Sequence, residues 1–148
     1  MSESEHIAIG RLIAMVSRLH ASRTDRLMER IGLFRGQAIL LIILSHEDGQ
    51  THSALADRLE ITPAAVTKVI KRLEKMNYLE RRSDPMDERI SRVFLKADGW
   101  AIIHQIYAIF RQRDACVLKG FTPEEEQMLD QLLRRVYSNL SEESCEPL

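Results

Sequence analysis

The sequence predicts a mainly α-helical chain with one small β-hairpin, and three observations carry that prediction. Apolar residues recur at helical spacing over most of the 148 residues. Helix-starting signals precede these stretches: Thr51, Thr62 before Pro63, and Thr122 before Pro123 with Glu125 three residues on. From Glu80 to Lys96 the pattern changes, and two basic segments with the spacing of short strands flank the acidic turn Asp84-Pro85-Met86-Asp87-Glu88. The length suits one domain, 1–148, and a hydrophobic content of 45% is enough to bury a core.

Taken in order, Ile9, Leu12, Ile13, Val16 and Leu19 begin a first helix that continues to Ile31 and stops at Gly32. A second, from Arg35 to Ser45, is almost continuously apolar and so belongs at the centre of the fold. "HEDGQ" reads as a turn, and Thr51 caps a short helix through Leu59. Thr62 caps the next helix, Pro63 takes its first position, and Asn77 stands where a left-handed residue ends it. After the hairpin, Asp98 to about Leu118 is a helix roughly 30 Å long. Thr122 and Glu125 form a capping box for the last, with Leu132, Leu133, Val136, Tyr137 and Leu140 along one stripe.

A net charge of −1 conceals a division. From Thr62 to Lys96 there are nine basic side chains and five acidic ones; from Gly120 onward, two basic and seven acidic. A basic middle in a neutral chain points to a local polyanion site. "MSESEH" does not fit a secretory signal, and the apolar run Ala38 to Leu44 is far short of the ~20 residues of a membrane helix. Cys116 and Cys145 have no metal or redox spacing. The expected setting is cytoplasmic, with no membrane partner.

The helix from Thr62 is the most informative. At 100° per residue Val66, Ile70 and Leu73 share one face, while Ala64, Lys68, Lys71 and Lys75 share the opposite one, flanked by Thr67 and Arg72. Small residues at the leading end allow approach to a groove floor, and lysines behind them reach phosphates. The same lysines would suit an ordinary solvated face. The neighbours decide between the two. "SALADRLE", a tight turn at Glu60-Ile61 and this helix make a helix-turn-helix, and a basic hairpin follows as a wing. Asp87 is expected to orient Arg89 at the tip, where an arginine can enter a narrow minor groove. Arg81, Arg82 and Arg92 would face phosphates. The predicted DNA-contacting set is Ser53, Thr62, Pro63, Ala64, Ala65, Thr67, Lys68, Lys71, Arg72, Arg81, Arg82, Arg89 and Arg92.

The stretch from Thr51 to Gly99, with Asp84-Pro85, Asp87-x-Arg89, Val93-x-Leu95 and Gly99, resembles the core of the MarR family of bacterial transcriptional regulators. The flanking helices fit in length and order. The resemblance implies a winged helix-turn-helix lobe over 34–96 and dimerisation helices at 1–31 and 97–140. It makes Arg89 the minor-groove residue and the helix from Thr62 the recognition helix. The implied partners are double-stranded DNA with a pseudo-palindromic operator, a second copy of the chain, and a small aromatic or phenolic effector. Repression is the family's commoner mode. The effector junction would involve Val16, His20, Phe34, Ala38, Trp100, His104 and Tyr107. Three positions depart from the family pattern: Asn77 for a glycine, Lys96 for a helix-capping threonine, so that either Asp98 takes that role or the helix start frays, and Phe34 for a threonine near the effector junction.

Other classes find less in the residues. The five histidines form no ligand cluster with the cysteines or carboxylates, so neither a metal site nor a cofactor is expected. Cys116, in mid-helix without an adjacent basic pair, reads as a small buried hydrophobe rather than a redox sensor. No glycine-rich phosphate loop or activated nucleophile suggests an enzyme. A protein-binding winged helix would not need the aligned set Lys68, Lys71, Arg89 and Arg92.

Overall fold

The computed structural model describes residues 3–141, and the side chains of residues 8–141. Cys145 and the acidic residues beyond 141 lie outside the described residues, as does the side chain of His6. Among the described residues six helices and three short strands follow in order: α1 (Glu3–Glu29), α2 (Arg35–His46), β1 (Gln50–Thr51), α3 (His52–Leu59), α4 (Pro63–Lys75), β2 (Leu79–Ser83), β3 (Ser91–Leu95), α5 (Ala97–Val117) and α6 (Pro123–Ser141). The chain falls into two compact units, Met1–Arg113 and Asp114–Leu148.

The first unit is built around α2, which buries Ala38, Leu40, Leu41 and Leu44. Leu55 and Ala56 from α3, Val66, Ile70 and Leu73 from α4, Leu79 from β2 and Val93 from β3 close over it. Ile102, Ile103 and Ile106 complete the core from α5, and Met28 does so from the end of α1. The apolar spacing read from the sequence therefore selects the buried face of α4, Val66, Ile70 and Leu73. Gly32, with φ 72°, ends the first chain segment as expected.

The hairpin is part of a larger sheet than the sequence predicts. Its order is β1-β3-β2, all antiparallel, with Arg82 opposite Arg92 and Thr51 also opposite Arg92. Strand β1 forms inside the expected turn because Gly49 donates its N–H to the Val93 carbonyl at 3.0 Å. The carboxylate of Asp48 accepts the Leu95 N–H at 3.0 Å from the same side. Gly49 must be glycine: its φ is 73°, and a Cβ there would lie 2.9 Å from the Phe94 ring. Alternation then sorts the sheet. Leu79, Val93 and Leu95 face the core, while Glu80, Arg82, Arg92 and Phe94 line the outer face.

Two helices leave their apolar stripes uncovered. On α1, Ile9, Leu12, Ile13, Val16 and Leu19 are all exposed. In the second unit α6 buries no residue, and Leu132, Leu133, Tyr137 and Leu140 are open to solvent. On α5, by contrast, Ile103 belongs to the core of the first unit rather than to such a stripe. Cys116 is exposed and free, against the expectation of burial, because it stands beyond the part of α5 that packs on α2 and its neighbours.

Candidate nucleic-acid interface

Helices α3 and α4 and the turn between them are held by local bonds. The Thr51 hydroxyl accepts the Ala54 N–H at 3.2 Å, and the Thr62 hydroxyl accepts the Ala65 N–H at 3.2 Å. Each cap is worth about 1 kcal/mol to its helix. Between them Glu60 adopts a left-handed conformation, φ 54°, and the Ile61 N–H bonds back to the Ala56 carbonyl at 3.1 Å. Nothing in the residue type announces that conformation at a glutamate. The tightness of the turn imposes it.

On α4 the predicted faces are the observed ones. Val66, Ile70 and Leu73 are fully buried; Thr62, Pro63, Ala64, Lys68, Lys71, Arg72 and Lys75 are exposed, with Ala65 and Thr67 half-buried. The Thr67 hydroxyl donates to the Pro63 carbonyl at 2.8 Å, and its oxygen is still able to accept. Arg72 stacks 4.5 Å above the Phe34 ring, so Phe34 supports the flank of this helix. Ser53 is exposed in the first turn of α3. Among the described residues, no hydrogen bond or ion pair engages the ammonium groups of Lys68, Lys71 or Lys75.

The wing holds its arginines differently. Arg81 is paired with Glu74 of α4 at 2.8 Å. Arg82 is paired with Glu80 and lies 4.7 Å above the Phe94 ring. Arg92 is paired with Asp84 and donates to the Gly49 carbonyl at 2.9 Å. Arg89 alone of the four has no acceptor for its guanidinium among the described residues. Asp87 does reach Arg89, but through the main chain: its carboxylate accepts the Arg89 N–H at 3.0 Å, not the expected side-chain bond. The tip is thus shaped by Asp87 while the guanidinium stays open to solvent.

Asp84 is the residue the sequence reading missed. It is the buried carboxylate of the turn, accepting the N–H groups of Met86 at 2.8 Å and Asp87 at 3.3 Å as well as Arg92. The Arg92 guanidinium, then the Met86 N–H, hold its carboxyl below the usual aspartate range. An Asp-Pro pair opening a turn was the available signal, since an aspartate there caps the N–H groups that follow.

Two of the three departures from the family pattern meet each other. Asn77 takes the left-handed conformation expected, φ 62°, and its amide donates to Asp98 at 2.7 Å while accepting from Lys96. Asp98 therefore does not cap α5; its carboxylate is turned to Asn77, and the Lys96 carbonyl starts the helix by accepting the Trp100 N–H at 3.0 Å. Beside them a Cβ on Gly99 would lie 2.1 Å from the Tyr78 carbonyl oxygen, so only glycine lets α5 leave the sheet at this point.

The seven residues of the expected effector junction are scattered in environment. Ala38 is buried and Tyr107 half-buried with its hydroxyl 3.2 Å from His46 Nε2. Val16, His20, Phe34, Trp100 and His104 are exposed. Among the described residues, no group of three or more His, Cys, Asp or Glu side chains is placed to hold a metal ion. Nor is any helix there long and apolar enough to cross a membrane.

Residues 33–91 match the model of the MarR family, spanning α2, the helix-turn-helix and the wing tip. YdgJ of Bacillus subtilis, named an HTH-type transcriptional regulator, is 30% identical over 110 residues, covering 74% of this chain and 67% of the relative. Rv2887 of Mycobacterium tuberculosis, named an HTH-type transcriptional repressor, is 24% identical over 139 residues, covering 94% of this chain and all of the relative. Among solved structures, a cysteine-to-serine mutant of MarR from E. coli in complex with operator DNA superposes with a TM-score of 0.76. It is 26% identical, with 89% of this chain and 95% of that one covered. The relatives are transcriptional regulators rather than enzymes, and the arrangement of core, turn and wing is theirs. The chain belongs to the MarR family of winged helix-turn-helix transcriptional regulators.

Proposed function

We propose that the chain binds a pseudo-palindromic operator as a homodimer and represses transcription until a small aromatic or phenolic effector releases it. One observation carries the DNA-binding part: Lys68, Lys71 and Lys75 on α4 and Arg89 on the wing, whose charges have no hydrogen-bond or ion-pair partner among the described residues, belong to the two elements that such a fold presents to DNA. Thr62, Pro63 and Ala64 lead α4 into the major groove, with Ala65, Thr67 and Ser53 at its edge. Lys68, Lys71 and Arg72 reach phosphates. Arg89 enters the adjacent minor groove. Arg81 and Arg82 add backbone contacts where phosphate oxygens displace Glu74 and Glu80.

The uncovered stripes of α1 and α6 support the dimer, since apolar faces of that extent are ordinarily buried against a partner. On this reading residues 1–31 and 97–140 form the dimer, 34–96 form the DNA-binding lobe, and two recognition helices stand about 34–36 Å apart on successive major grooves. An effector acts by favouring a dimer spacing that mismatches the groove repeat. Repression is supported by the printed name of the mycobacterial relative, and a cytoplasmic location follows from an operator as target.

The test is fluorescence anisotropy of the full chain with a duplex selected from a random library, against a scrambled duplex, over a salt series. Selective binding that weakens steeply with salt is expected. Salt-insensitive association, or no binding to either duplex at low salt, would overturn the reading in favour of a protein-binding winged helix.

A further inference from the structure

Arg92 is the wing arginine whose guanidinium is hydrogen-bonded both at the wing turn and at the entrance to β1. Its guanidinium joins three segments: the β3 strand that bears it, the Asp84 carboxylate at the start of the wing turn, and the Gly49 carbonyl at the entrance to β1. The Asp84 side chain is only 9% exposed, so its charge cannot be left to water and needs a fixed counter-ion. Asp84 in turn holds the Met86 and Asp87 N–H groups, and its own N–H bonds the Ile90 carbonyl at 2.8 Å. A chain of bonds therefore runs from the helix-turn-helix entrance through Arg92 and Asp84 to the turn that ends at Arg89.

The register supplies a second reason. Arg82 and Arg92 are direct cross-strand partners on one face, where like charges repel. They are separated by opposite commitments, Arg82 to Glu80 and the Phe94 ring, Arg92 to Asp84 and Gly49. A hairpin of this size has little stability of its own, so a strut at its base sets where its tip points.

We infer that Arg92 is a positioning residue, a strut that aims Arg89 into the minor groove, and does not itself contact DNA. The inference rests on the DNA-binding reading above. It makes a prediction of opposite sign from phosphate contact. Were Arg92 a phosphate contact held back by Asp84, Asp84→Asn would release it and tighten binding. As a strut partner, Asp84→Asn weakens binding to the selected duplex by about tenfold, the order of one charge-assisted bond. Asparagine keeps an oxygen for the Met86 and Asp87 N–H groups, so this variant retains the local fold better than Arg92→Ala.

The experiment measures binding of wild type, Asp84→Asn, Arg92→Ala, Arg89→Ala and the two double variants with Arg89→Ala, each across a salt series on the selected and scrambled duplexes. A strut acts through Arg89. Asp84→Asn and Arg92→Ala should therefore each weaken binding alone and add almost nothing to Arg89→Ala, a non-additivity that general destabilisation does not produce. Tighter binding by Asp84→Asn, or losses that add in full to Arg89→Ala, would overturn the strut while leaving the DNA-binding reading standing. If wild type shows no salt-sensitive selective binding, that reading fails and the strut fails with it.

Discussion

Helix α4 and the wing are the two basic elements of the lobe, and they hold their charges in opposite ways. On α4 the lysines have no partner among the described residues, because the helix needs none: its backbone bonds, its Thr62 cap and the buried Val66, Ile70 and Leu73 already fix it. On the wing, Arg81, Arg82 and Arg92 each have a carboxylate, and Arg89 alone is left open. A two-stranded ribbon cannot set its own shape from backbone bonds alone, so most of its charge serves structure. Counting basic residues overstates the number available to a ligand, and the overstatement is larger for a hairpin than for a helix.

The largest expected effect breaks the comparison at its open end. Arg89→Ala should cost about 1–3 kcal/mol in binding to the selected duplex while mass in solution and thermal stability stay unchanged; equal affinity in an anisotropy titration would remove the wing from recognition. Next, Lys68→Ala and Lys71→Ala should each lower the slope of log affinity against log salt by about 0.9, and weaken selected and scrambled duplexes alike. A slope that does not move would return these lysines to an ordinary solvated face.

Acid sharpens the contrast, since the wing has a carboxylate at its base and the open face of α4 has none. Asp84 is held below the usual aspartate range by Arg92 first and the Met86 N–H second. A carboxylate with a lowered folded value contributes stability above its unfolded value and loses it as pH falls through the folded one. Melting temperatures of wild type and Asp84→Asn should differ at neutral pH and converge only below the ordinary aspartate range. Convergence at higher pH would mean that the Arg92 pair does not hold Asp84 ionised. Smallest of all, Lys75→Ala, at the far end of α4, should weaken binding slightly and leave sequence preference intact, measured on the same pair of duplexes.

The elements that the sequence made legible are those whose cause is local. Thr51, Thr62 with Pro63, and Thr122 with Glu125 cap where expected, the last pair reciprocally, with bonds of 2.9 and 3.3 Å. Asn77 ends α4 in a left-handed conformation. The hidden ones depend on a distant partner. Strand β1 is two residues long and exists only through β3. Glu60 is left-handed because α3 and α4 must meet closely, and Asp98 serves Asn77 rather than its own helix. Ile103 and Cys116 sit on the same helix, and which of them is buried was decided by where α5 leaves the core.

By itself the sequence determined the order of helices, their starts and stops, the buried face of α4, and the signature of the wing. Periodicity, capping and turn chemistry act within a few residues, and each leaves its mark in the order of side chains. Only the tertiary structure decided which wing arginines are committed and which, among the described residues, is open. A guanidinium chooses among acceptors brought near by folding, as the Glu74 carboxylate is brought to Arg81 and the Gly49 carbonyl to Arg92, and no spacing along the chain records that choice.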